Sequence, residues 1–163
     1  MRHLPVRPSR PRTRAHRGAS LIEVLVAVLV LSIGMLGLAA LQARSLQGNV
    51  SSLQRTQGVV MAQHLLDILR ADRASAATGA YDLGASLEKP ACVSSDIAGT
   101  TFAADSLRAW LDALKAHLGQ SGDTTTCALV RCEASAVCAV DVLWDDRLGG
   151  GLGAQKLSVS SRL

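Results

Sequence analysis

Glu23, four cysteines and a cluster of three aspartates are the residues of this chain whose chemistry could carry a function. Glu23 stands two residues inside an otherwise apolar run that begins at Leu21. A carboxylate at the centre of a spanning helix costs roughly 2.5–3.5 kcal/mol, less near the interface, so such a group usually faces a positive partner. Cys92, Cys127, Cys132 and Cys138 could bind zinc or form disulfides, but their spacings lack the paired C-x2-C pattern of structural zinc sites. Disulfides are therefore expected. Three pairings are open; in the one adopted here, Cys132 with Cys138 closes a turn between two strands and Cys92 ties a loop to Cys127.

Asp141, Asp145 and Asp146 could serve acid–base work or hold calcium. Alternation along the segment places Asp141 and Asp145 on the solvent side of a strand, and Asp146 opens a turn, where aspartate is ordinary. All three are expected to be solvated. His3, His16, His64 and His117 have no cysteine or acid pair beside them. No nucleophile elbow, P-loop or dinucleotide fingerprint occurs. The expectation is a non-enzyme with no catalytic residue, no metal and no cofactor.

The elements that must position these residues begin with the apolar run. Val24–Leu41 carries no charge, and with Leu21 and Ile22 it gives about 20 nearly continuous apolar residues, roughly 30 Å of helix and one hydrocarbon core. It is longer than a secretory signal's apolar region, and no small-residue cleavage site follows closely. Arg2, Arg7, Arg10, Arg12, Arg14 and Arg17 precede it with no acid among them. This asymmetry orients the N-terminus toward the cytoplasm and the rest of the chain to the far side. All four cysteines lie beyond the run, which suits an oxidising compartment.

The net charge of +4 comes from the leader. After residue 18 the chain holds 11 basic and 13 acidic residues, a net of −2, so the high isoelectric point argues little for nucleic-acid binding. Four aromatics, Tyr81, Phe102, Trp110 and Trp144, suit the core of a small head rather than a roomy pocket.

Arg17-Gly18-Ala19-Ser20-Leu21-Ile22-Glu23-Val24-Leu25 resembles the leader junction of type IV pilins and pseudopilins. The resemblance implies cleavage after Gly18 by prepilin peptidase and N-methylation of the new terminus, Ala19, although that first residue is usually Phe or Met. It also implies that Glu23 pairs with the N-terminal ammonium of an adjacent subunit, the partner its burial requires. Ile33-Gly34-Met35-Leu36-Gly37-Leu38, followed by Ala39-Ala40-Leu41-Gln42, resembles a subgroup of minor pilins, as does Val142-Leu143-Trp144-Asp145-Asp146-Arg147 before a glycine turn. Gly34 and Gly37 could admit close helix approach, allow local unwinding, or be neutral. The implied partners are other minor and major pilins, prepilin peptidase and the inner-membrane assembly platform. The implied location is a single-pass inner-membrane protein with a periplasmic head, later part of a pilus. A type II secretion pseudopilin and a tip module binding DNA or a surface are the competing readings.

The expected fold is α+β and pilin-like, with a long N-terminal spine helix over a small antiparallel sheet. The expected organisation is a basic leader at 1–18, a transmembrane and polymerisation helix at 19–41, an amphipathic continuation at 42–73, and a periplasmic head at 74–163. The spine is read from Ser20 to Arg73, amphipathic beyond Gln42. Residues 74–101 read as loop. A second helix is expected over Ala104–Leu118 with Gly119 as its C-terminal cap and Trp110 in the core. Strands are expected at Thr125–Arg131, Cys138–Asp145 and Gln155–Arg162.

Overall fold

The computed structural model describes residue 18 and residues 20–86, 88–119, 122–147, 150–151 and 153–163. The chain divides into two compact units, Met1–Leu41 and Gln42–Leu163. The architecture is α+β and pilin-like: a long, initially apolar helix followed by a small three-stranded antiparallel sheet.

Helix α1 covers Leu21–Ala71. In the first unit it is apolar on every side, and its large side chains from Leu21 to Leu41 are each 53–79% exposed. The helix passes unbroken through Gly34 and Gly37, so no local unwinding occurs there, and no neighbouring atom approaches either glycine.

In the second unit α1 becomes one-sided. Met61, Ala62, Leu65, Leu66 and Leu69 are buried at helical spacing, while Leu46, Val50, Leu53 and Val60 stay exposed. Each fully buried leucine contributes about 1.5–3 kcal/mol. The helix ends at Ala71 rather than Arg73, because Asp72 leaves helical geometry at φ −119° and ψ 53°. Its carboxylate accepts the Tyr81 hydroxyl at 3.1 Å, and its carbonyl accepts Ala76 N–H in the short helix α2, Arg73–Ala77.

Helix α3 covers Phe102–Leu118 and starts two residues earlier than its apolar periodicity implies, because the Thr101 hydroxyl caps Ala104 N–H at 3.2 Å. Leu107, Trp110, Leu111, Leu114 and Leu118 form its buried stripe. Trp110 is a core residue and donates its indole N–H to Met61 O at 2.8 Å. Gly119 is the C-cap, with its N–H on Lys115 O.

The sheet order is β1 (Cys127–Cys132), β2 (Val137–Asp145), β3 (Ala154–Arg162), all antiparallel. β1 begins two residues later than expected because the Asp123 carboxylate accepts Thr125 and Thr126 N–H, holding them in a turn. Val140, Val142 and Trp144 turn inward to join the core with the buried faces of α1 and α3.

The stretch read as loop contains more order than that. Leu83 and Ala91 make antiparallel bridges to Val130 and Ala128, so this segment closes the outer edge of β1. Gly84 permits it: with φ +77°, a Cβ there would lie 2.8 Å from Leu129 Cδ1.

Candidate functional site

Ser20 O accepts Glu23 N–H at 2.9 Å and Val24 N–H at 3.2 Å, which makes Ser20 the residue from which α1 starts. Glu23 is then the third helical residue. Ser20-x-x-Glu23 has the spacing of a capping box, a signal the apolar run overshadowed. A carboxylate in the first turn also meets the positive end of the helix dipole, worth about 0.3–1 kcal/mol. The position therefore suits a negative charge even before any partner is present.

Glu23 is exposed, and among the described residues no side chain pairs with its carboxylate. From Val24 to Ala43 the helix carries no other charge. Ser32 is one polar side chain in that stretch, and its hydroxyl bonds back to Val28 O at 2.7 Å. The mean hydropathy of this stretch reaches 2.8, and nothing in the structure covers it. The helix is long and apolar enough to cross a membrane. Left in water it would expose an apolar surface far larger than a soluble monomer carries.

Gly18 is exposed and non-helical, with no atom near the place a side chain would take. Ala19, the expected mature terminus, and the arginine-rich leader with His3 and His16 lie outside the described residues. The N-terminal site therefore consists of an exposed glycine, a helix start, one unpaired carboxylate and a bare apolar face.

The prokaryotic N-terminal methylation motif matches residues 13–39. The N-terminal segment is type IV pilin-like. The match covers the leader junction, Glu23 and most of the apolar run, and implies processing by prepilin peptidase and assembly with other pilins. Pilins and pseudopilins both fit it, and subunits of this kind are structural rather than catalytic. No curated protein and no solved structure matches the chain.

The other chemistry-bearing residues lie in the second unit of this pilin-like chain. The disulfides are Cys92–Cys127 and Cys132–Cys138. Cys132 and Cys138 are register partners across β1 and β2, whereas Cys92 follows the Ala91–Ala128 bridge and fastens that edge to the sheet.

Asp141 and Asp145 do not converge with Asp146. Asp141 accepts the Ser158 hydroxyl and lies 3.3 Å from Lys156 Nζ, while Asp145 lies 3.7 Å from Arg147. Asp146 corrects the surface reading, for it is only 2% exposed. Its carboxylate accepts the Ser51 hydroxyl at 3.0 Å and Gly153 N–H at 2.9 Å, so it joins α1 to the β2–β3 turn. His64 and His117 are exposed, and no group of three possible metal ligands occurs among the described residues. Lys115, which the sequence did not single out, is buried and donates to Asp123 O.

Tyr81 is fully buried. Burial first, then its hydrogen bond to Asp72 and that residue's charge, push the phenol above its ordinary value near 10, against a smaller lowering by Ser106. These contacts belong to folding. The site with an unmet chemical demand is Glu23 on its apolar helix.

Proposed function

We propose that the chain is a minor pilin of a type IV pilus, most like the pilus modification protein PilV, which primes assembly and is incorporated in or near the tip. The observation that carries this reading is an unpaired carboxylate at the start of a bare apolar helix, within a matched methylation motif. Cleavage after Gly18 creates the ammonium of Ala19, which the peptidase then methylates. That cation on one subunit meets Glu23 of the next. In apolar surroundings the carboxylate is costly alone and acceptable when paired, so the pair selects the register in which apolar helix faces meet. Those faces supply most of the contact. The disulfide-stapled unit stays in the periplasm until the subunit leaves the inner membrane for the pilus.

The Ile33–Leu41 pattern favours the pilus over the type II secretion pseudopilin, which shares the leader and Glu23. Deleting the gene separates the two. Loss of twitching motility with normal protein secretion is expected, and the reverse outcome assigns the chain to secretion. A tip-located adhesion or DNA-binding role has no basic patch in the sequence to support it, and a gel shift at low salt is its test.

A further inference from the structure

Helix α1 carries a second apolar stripe beyond the run of membrane length. Leu46, Val50, Leu53, Gln57 and Val60 follow one another at steps of four, three, four and three residues, and the same steps lead back through Ala43 and Ala39 to Leu36. Leucine or valine at one seam position, with Val50 and Gln57 at the other, is the seven-residue pattern of a two-stranded coiled coil. Gln57 is half-buried, and the other four residues from Leu46 to Val60 are 43–66% exposed. The folded head does not use this face. Gly58, Ala62 and Leu65, which the head covers, stand about 100–160° from the midline of the stripe. A helix with a bare apolar stripe of this kind has room and reason for a neighbour.

We propose that two copies of this chain pair in parallel and in register through this stripe. Three features select a second copy. The stripe and the positions beside it, Gln47, Asn49, Gln54 and Thr56, carry no charge, and Arg44 and Arg55 stand about 160–180° from its midline. Identical chains therefore meet without setting like charges together. Gln57 supplies the register. Opposite itself, each amide offers the donor that the other's carbonyl needs. A shift by one heptad sets it against Val50 of the other chain and leaves the amide unpartnered in an apolar seam. The covered side of α1 faces away from the stripe, so the two heads lie on opposite sides of the pair. A groove of about 210 Å³, lined by Thr56, Gln57, Val60, Met61 and His117, flanks the stripe and gives the second helix room to seat. Parallel orientation follows from the membrane-anchored reading, on which this proposal rests, because both spans then run the same way. Anchoring in one membrane also raises the effective concentration, so a short seam suffices.

The test uses the purified full chain in a large molar excess of detergent micelles. No other pilin is present, so its outcome is separate from that of pilus incorporation. All four native cysteines are in disulfides, so a cysteine added singly is the one free thiol. A short bis-maleimide is expected to join Leu46→Cys chains to each other and Leu53→Cys chains to each other, and to leave Arg55→Cys monomeric. Mixing Leu46→Cys with Leu53→Cys is expected to give little mixed dimer. Adding Gln57→Glu sets two carboxylates face to face and is expected to cut the Leu53→Cys dimer at least about tenfold. The thermal midpoint of that variant should stay within about 2 °C of wild type. The inference is overturned by equal cross-linking of Leu53→Cys and Arg55→Cys, by mixed dimer as abundant as the matched ones, by no dimer from any variant, or by a folded Gln57→Glu chain that cross-links undiminished.

Discussion

The Ser51 hydroxyl on α1 donates to the Asp146 carboxylate at the end of β2, 95 residues away in sequence, at 3.0 Å. This half-buried contact fastens the helix to the β2–β3 turn, and Gly153 N–H completes it from the buried side. Replacing Asp146 with leucine leaves the buried Gly153 N–H without its acceptor and removes the partner of the half-buried Ser51 hydroxyl. Urea unfolding should show a loss of about 2–4 kcal/mol, against about 1 kcal/mol for Ser51→Ala. Equal, small losses for both variants would place the carboxylate in solvent.

Gly58 is a buried position of α1 that faces β2, β3 and α3. A Cβ there would sit 3.4 Å from Leu157, 3.7 Å from Trp144 and 3.8 Å from Leu118, which is ordinary contact. Gly58→Ala should therefore be neutral or stabilising by up to about 1 kcal/mol through helix propensity. Gly58→Leu overfills the same space and should cost about 1–3 kcal/mol. Thermal melts of the two variants compare them directly.

The two disulfides should contribute unequally. Cys92–Cys127 spans 35 residues and Cys132–Cys138 spans 6. Loop-closure entropy assigns them about 4 and about 2 kcal/mol respectively. Pairwise alanine replacement followed by unfolding should give that order, and the reverse order would show that the short bridge holds the hairpin in some further way.

Tyr81 sets a pH dependence in the alkaline range. Its phenol is raised in the folded chain, so its contribution is fully present below pH about 10 and is lost as pH rises through the raised value. At neutral pH, Tyr81→Phe should cost about 0.5–1.5 kcal/mol through the lost bond to Asp72. Above pH about 10 the wild-type advantage should shrink. A gap that stays constant across that range contradicts the assignment.

Much of this fold was legible in residue periodicity, because α3, β2 and the second part of α1 each bury one face at the spacing their geometry demands, whereas β1 is buried on both faces over Cys127–Val130. The departures come from side chains that capture backbone groups locally. Thr101 starts α3 early, Asp123 delays β1, and Asp72 ends α1. The edge segment Leu83–Ala91 has no period to read, since its bridges depend on where β1 lies. Asp146 looked like a turn residue because only the folded chain brings Ser51 to it. Glu23 was legible for the opposite reason: a charge in an apolar run stands out without any tertiary information, and its helix start needs only Ser20 three residues before.

The central claim is that Glu23 sets the register in which this chain joins a pilus. The direct measurement is mass spectrometry of pili sheared from cells making either wild-type protein or Glu23→Val, with the membrane fraction analysed beside them. In both strains the membrane fraction should contain a chain beginning at Ala19, methylated in the wild type. Only the wild-type chain should appear in the sheared pili. A Glu23→Val chain present in those pili at the wild-type level would contradict the account.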